Sequence, residues 1–153
     1  MAAPLLYLDS SALVKRYVQE EGTEHVLAMF PGRPETEFIL SRLTLLEVVS
    51  AITRRARQGD LASADATRAI QTLHFEVKRL CRVYDIAGAV VARAESLVMS
   101  HLLRAADAIH LATALLHAKE ATTPIFASAD QALLHAATSN GLVAWDPTDG
   151  PCP

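Results

Sequence analysis

Apolar positions along the chain fall into two kinds of run. Short, nearly continuous ones ("PLLYLD", "FILSRLT", "RVYDI", "PIFASAD" and "LVAWD") have the length and content of buried strands. Between them lie stretches with helical periodicity. "SSALVKRYVQ" places Leu13, Arg16, Tyr17 and Glu20 at helical spacing, and "GTEHVLAMF" predicts a second helix closed by the loop "PGRPE". "LLEVVSAITRRARQG" predicts a helix ending at Gly59, with Arg54, Arg55 and Arg57 in its last turns, where cations suit the helix dipole. Asp60 is then expected to cap "LASADATRAIQTLHFEVKRLC". Further on, "AGAVVARAESLVMS", "RAADAIHLATALLHAKE" and "QALLHAATSNG", the last with Gly141 at its end, read as helices.

Strands that alternate with helices predict an α/β fold, its mostly parallel sheet covered on both faces. With 153 residues there is enough chain for one well-buried core, and the expectation is a single domain over residues 1–147 followed by a short tail, 148–153. Hydrophobic residues make up 51% of the chain but aromatics only 5%, which suits helices packed on a sheet better than a small sandwich.

A net charge of −3 does not advertise nucleic acid, although it leaves room for a local basic rim. Cys81 and Cys152 form no CxxC pair, which argues against a disulfide framework or structural zinc and fits a reducing compartment. The segment "MAAPLLYLD" lacks the basic flank and long apolar core of a signal peptide. No stretch approaches the roughly 20 apolar residues of a membrane span. A soluble, cytoplasmic protein is expected.

Four acids stand at unusual places. Asp9 and Asp130 each follow a predicted strand, where ligands of open parallel sheets bind. Glu47, in "LTLLEVVSA", and Asp107, in "RAADAIHLA", sit in apolar stretches near the starts of helices. Each alone has an ordinary explanation as a cap or first-turn acid. Together, on one edge of one sheet, they would repel each other at neutral pH unless a divalent cation neutralised them. All-oxygen donors suit Mg²⁺ or Mn²⁺ rather than zinc.

The segments "YLDSSALVKRY", "LTLLEVVSAITRR", "RAADAIHLATA" and "FASADQALLHAA" resemble, in order and over nearly the whole chain, the PIN-domain nucleases, and within them the VapC toxins of bacterial toxin–antitoxin pairs. "DAIHLATA" is the most specific of the four. The resemblance implies a three-layer α/β/α sandwich and Mg²⁺- or Mn²⁺-dependent cleavage of RNA, with tRNA or rRNA as the substrate class. It also implies homodimerisation and inhibition by a cognate VapB-type antitoxin. The family's acidic positions carry over as Asp9, Glu47, Asp107 and Asp130, its accompanying hydroxyl as Ser10 or Ser11, and a further hydroxyl as Ser128. Gln131 follows the last acid, where a second carboxylate would hold a second metal more firmly.

On this reading Asp9 and Asp107 are direct metal ligands, Glu47 holds a metal-bound water, and Asp130 completes the site or places a second ion. Ser10 or Ser11 orients a carboxylate or a water. Lys15, Arg16, Arg42 and Arg104 each lie close to one of the acids and could form a rim that grips phosphates, or could be solvated helix faces. His110, three residues after Asp107, is read as a hydrogen-bonded core residue rather than a ligand. The competing reading is a catalytically silent PIN-like or receiver-like α/β binding module. A receiver normally carries a lysine after its last strand, and "LVAWDPTDG" has none.

Overall fold

Residues 4–32, 35–118 and 122–153 are described by the computed structural model. Five strands, β1 (Leu5–Leu8), β2 (Glu37–Ser41), β3 (Cys81–Tyr84), β4 (Ile125–Ala127) and β5 (Val143–Trp145), form one sheet in the spatial order β3-β2-β1-β4-β5. Every neighbouring pair is parallel. The helices are α1 (Ser10–Leu13), α2 (Thr23–Leu27), α3 (Met29–Gly32), α4 (Arg42–Gln58), α5 (Ser63–Leu80), α6 (Gly88–Ser100), α7 (Ala105–Leu116) and α8 (Gln131–Ser139).

Side-chain alternation along the strands builds the two cores. Leu6, Leu8, Phe38, Leu40 and Ala127 face one side and pack with Leu13, Val48, Ile52, Leu73 and Val77 from α1, α4 and α5. Leu5, Tyr7, Ile39 and Phe126 face the other and pack with Val90, Leu97, Leu111 and Leu133 from α6, α7 and α8. The fold is therefore the three-layer α/β/α sandwich, its central strands β1, β2 and β4 buried on both faces as expected of a parallel sheet. No helix among the described residues is long and apolar enough to cross a membrane.

Several boundaries differ from those the sequence predicts. The stretch after β1 is helical only to Leu13 and continues as a 3₁₀ turn, Val14–Arg16, because Arg16 and Tyr17 turn toward Glu76 on α5. "GTEHVLAMF" forms the two short helices α2 and α3 rather than one, and within the loop expected at "PGRPE" residues Arg33 and Pro34 lie outside the described residues. The helix expected to run through Lys119 and Glu120 ends at Leu116, and those two residues also lie outside the description.

Asp60 does not cap α5, whose N-cap is Ala62. Its backbone N–H instead closes α4 by donating to Arg55 O at 3.0 Å, beside Gly59 at φ 83°. The expected loose tail is folded back: Trp145 Nε1 donates to Gly150 O at 2.9 Å, and Cys152 is buried in the first core. The return passes so close that a Cβ at Gly22 would sit 2.7 Å from the Pro147 carbonyl.

The chain fills β1, β2 and β3 outward on one side of the first strand, then β4 and β5 on the other. The strand order thus reverses between β1 and β4. Loops leaving the carboxyl ends of these two strands diverge there, and the crevice between them is the place where such sheets bind ligands.

Candidate functional site

Asp9 leaves β1 at this crevice with extended backbone and caps α1. Its Oδ1 accepts from the Ala12 backbone N–H at 2.9 Å and from Ser11 Oγ at 2.7 Å. Its Oδ2 accepts from Ser128 Oγ at 2.6 Å. The cap reading is thus right as far as it goes, but a cap needs only one oxygen and tolerates full hydration. Asp9 is 4% exposed and has no ion-pair partner among the described residues. Burial pushes its carboxyl above the usual range, opposed only in part by the nearby His110 ring and by the hydrogen bonds from Ser128, Ser11 and Ala12.

Ser128 follows β4 directly and is fully buried. Besides donating to Asp9, its Oγ accepts from the Asp130 N–H at 3.0 Å, so one hydroxyl ties the two loops together. Asp130 caps α8 by accepting from the Leu133 N–H at 3.0 Å. Asp107 lies in the first turn of α7, and its carboxyl is pushed up mainly by burial and further by Asp130, against the pull of Arg104. Arg104 reaches across both acids, its Nε 3.3 Å from Asp107 Oδ2 and its Nη2 3.7 Å from Asp130 Oδ2. Glu47, in the second turn of α4, keeps a third of its side chain exposed and sets Oε1 2.5 Å from His110 Nε2.

All four acids line one cavity of about 260 Å³, together with Ser10, Ser11, Arg104 and Ala106. No three His, Cys, Asp or Glu side chains among the described residues close into a direct coordination shell. The donor set nevertheless fits a hard divalent ion that keeps part of its water shell, as Mg²⁺ does. A buried carboxylate without an ion-pair partner among the described residues faces the cavity, and the cation spanning Asp107 and Asp130 is an 84%-exposed arginine. Through Ser10, Ser11 and Glu47 the cavity opens into a cleft of about 610 Å³ that runs past Leu46, Arg54 and Arg55.

The structure therefore brings together all four acids expected from the sequence. Of the hydroxyls, Ser11 and Ser128 bond to Asp9, while Ser10 lines the cavity wall. Of the expected basic rim, Arg104 lines the acid cavity and Lys15 the adjoining cleft, and all four candidates are paired with carboxylates. Lys15 is 5% exposed and bound to Glu20 at 2.8 Å, and Arg16 is held by both oxygens of Glu76. Arg42 pairs with Asp85 at 2.8 Å. These charges are neutralised within the protein, Arg16 and Arg42 by carboxylates distant in sequence and Lys15 by Glu20 five residues on. Arg54 on α4, noted in the sequence only for its place in the helix, is the exposed cation that lines the cleft. His110 is 1% exposed with both ring nitrogens engaged, a role for which a single histidine in an apolar helix gives no distinctive signal.

A family model described as "PIN domain" matches residues 6–138. Ribonuclease VapC45 of Mycobacterium tuberculosis is 34% identical over 112 residues, covering 73% of this chain and 76% of that protein. Among solved structures, Mycobacterium tuberculosis VapC20, a Sarcin-Ricin loop cleaving toxin, aligns with a TM-score of 0.65 at 15% identity over 90% of this chain and 96% of its own. A toxin–antitoxin complex from Klebsiella pneumoniae aligns with a TM-score of 0.57 at 18% identity, over 82% and 86% respectively.

Proposed function

The chain belongs to the PIN-domain family, and on that premise we propose that it is a divalent-metal-dependent endoribonuclease, the toxin of a VapBC-type toxin–antitoxin pair. The observation that carries the reading is the convergence of Asp9, Glu47, Asp107 and Asp130 on one cavity, with Asp9 buried and without an ion-pair partner among the described residues. The 34% identity to a protein named as a ribonuclease supports the same activity.

Mg²⁺ or Mn²⁺ would be held by Asp9 and Asp107, with Glu47 and Asp130 acting directly or through water. When bound, the ion supplies a nucleophilic water at neutral pH and a sink for the charge that develops on phosphorus. The protein's own part is to preset the carboxylates. Ser11 and Ser128 fix both oxygens of Asp9, so the carboxylate does not have to be ordered when an ion arrives. Arg104 neutralises Asp107 and Asp130 until then, and is free to turn toward a phosphate once displaced. The cleft along α4 offers the RNA strand a path, with Arg54 for a phosphate and Leu46, 68% exposed, for a base or sugar face.

The substrate class is RNA, tRNA or rRNA, met in the cytoplasm. Partners are a VapB-type antitoxin and a second copy of the chain. Met99, 89% exposed, and the fully exposed Leu102, at the end of α6 and just beyond, supply apolar surface suited to such a partner.

The test is cleavage of total cellular RNA by purified protein in Mg²⁺, Mn²⁺ or EDTA, beside Asp9→Asn and Asp107→Asn. Cutting that needs metal and disappears in both variants is expected. A folded protein that binds metal yet cuts no RNA would favour the silent binding module.

A further inference from the structure

His110 is the most deeply buried histidine of the chain and is bonded at both ends. Its Nδ1 lies 2.7 Å from Tyr7 Oη and its Nε2 2.5 Å from Glu47 Oε1. Tyr7 is fully buried on β1 and stacked on Phe126, with ring centroids 5.0 Å apart and planes 5° from parallel. Its ring meets that of His110 edge-on, at 70°. Thr44, one turn before Glu47 on α4, closes the same pocket with its Oγ1 3.5 Å from His110 Nδ1. Three elements that share no sequence neighbourhood are thus joined through one imidazole: β1, α7 and α4.

Hydrogen-bond chemistry fixes the Glu47 end of this chain. A carboxylate only accepts, so Nε2 must carry the proton directed at Glu47. At the other end of the ring the Tyr7 hydroxyl, which can donate or accept, meets Nδ1. Neither nitrogen is left for a metal. Glu47 itself is a long side chain on a partly exposed helix face and would otherwise sample several rotamers.

We propose that Tyr7 and His110 form a positioning relay: Tyr7 holds the ring with its Nε2–H toward Glu47, and the ring thereby aims the Glu47 carboxylate into the acidic cavity. His110 is a positioning residue, not a ligand. The inference rests on the reading of Glu47 as part of a divalent-metal site.

Two measurements test it. In protein carrying ¹⁵N-labelled histidine, long-range ¹H–¹⁵N spectra report the tautomer of His110, and Nε2–H is expected. Mn²⁺ titration is then compared in wild type, Tyr7→Phe, His110→Gln and His110→Asn. Gln can carry an amide to the Nε2 position and Asn cannot, so affinity should fall in the order wild type, H110Q, H110N, with about a tenfold loss for H110N. Tyr7→Phe keeps the stacking on Phe126 and the fold, which near-ultraviolet circular dichroism can verify. It should weaken Mn²⁺ binding several-fold and lower kcat with little change in KM. A ring with no proton on Nε2, or equal Mn²⁺ affinity across folded variants of a metal-binding wild type, overturns the relay alone. Absence of Mn²⁺ binding by the wild type overturns the metal reading, and the relay's role falls with it.

Discussion

Ser128 Oγ donates to Asp9 Oδ2 at 2.6 Å across 119 positions of sequence, joining the loops that leave β4 and β1. The bond is buried and its acceptor is ionised when a metal is present, which places it among the stronger hydrogen bonds. Ser128→Ala should therefore cost about 1–3 kcal/mol of stability. It should also weaken Mn²⁺ binding, because Asp9 regains rotational freedom. Thermal denaturation with and without Mn²⁺ separates the two effects: a variant whose metal-induced rise in Tm equals that of wild type would show that the hydroxyl serves the fold alone.

Asp9→Asn keeps the shape and the cap while removing a buried, uncompensated charge. The Asn Oδ1 can still accept from Ala12 and Ser11, and its amide can donate to Ser128. In EDTA the variant should match or exceed wild-type stability, by about 1 kcal/mol or roughly 2–4 °C for a chain of this size, and it should neither cleave RNA nor gain stability from Mg²⁺. A metal-free D9N protein that melts well below wild type would mean the carboxylate is there to hold the loops rather than an ion.

Arg104 competes with any cation for Asp107 and Asp130. Because its side chain is 84% exposed, the pairs are weak, about 0.2–1 kcal/mol. Arg104→Gln should leave Tm nearly unchanged and strengthen Mn²⁺ binding by at most about fivefold. If Arg104 turns to the substrate once displaced, the same variant should show a raised KM for RNA. Weaker Mn²⁺ binding in R104Q would contradict the competition.

Arg54 is exposed on the cleft wall, and no ion pair holds it among the described residues. Arg54→Ala should raise KM without lowering kcat or Tm. It should also reduce the salt dependence of RNA binding by about one phosphate contact. Its neighbour Arg55 pairs with Glu20, which also holds Lys15, so Arg55→Ala should instead lower Tm. An Arg54 variant with unaltered KM and salt slope would move the RNA path elsewhere.

What could be read from the chain, and what could not, follows from the range of the interactions involved. Asp9 and Asp130 were legible because strand, cap and helix are contiguous in sequence, and Glu47 and Asp107 because a carboxylate inside an apolar run is costly anywhere. The layering was legible because the central strands β1, β2 and β4 alternate between two buried faces while the helices between them show one. The link from Tyr7 through His110 to Glu47 was not, since its partners are 103 and 63 positions apart and each alone looks like ordinary core or surface. The same holds for Arg16, whose position near Asp9 suggested substrate contact but whose partner Glu76 is 60 positions away; the partner of Lys15, Glu20, is only five positions on.

Glu76 gives the clearest pH signature of the fold. Burial alone would raise its carboxyl, but hydrogen bonds from Arg16 and Tyr17 and the charge of Arg16 outweigh burial and hold it below the ordinary value. A carboxyl lowered on folding contributes stability that is fully present above its unfolded pKa of about 4.3 and is lost as pH falls through the lower folded value. Arg16 also lies 4.0 Å over the Phe30 ring, so its position is fixed from two sides. Glu76→Gln should cost about 1–2 kcal/mol at neutral pH, and the gap from wild type should shrink steadily below about pH 4. Urea denaturation at pH 7, 5 and 3 measures that gap; a difference independent of pH would assign the contribution to shape and neutral hydrogen bonds rather than to the ion pair.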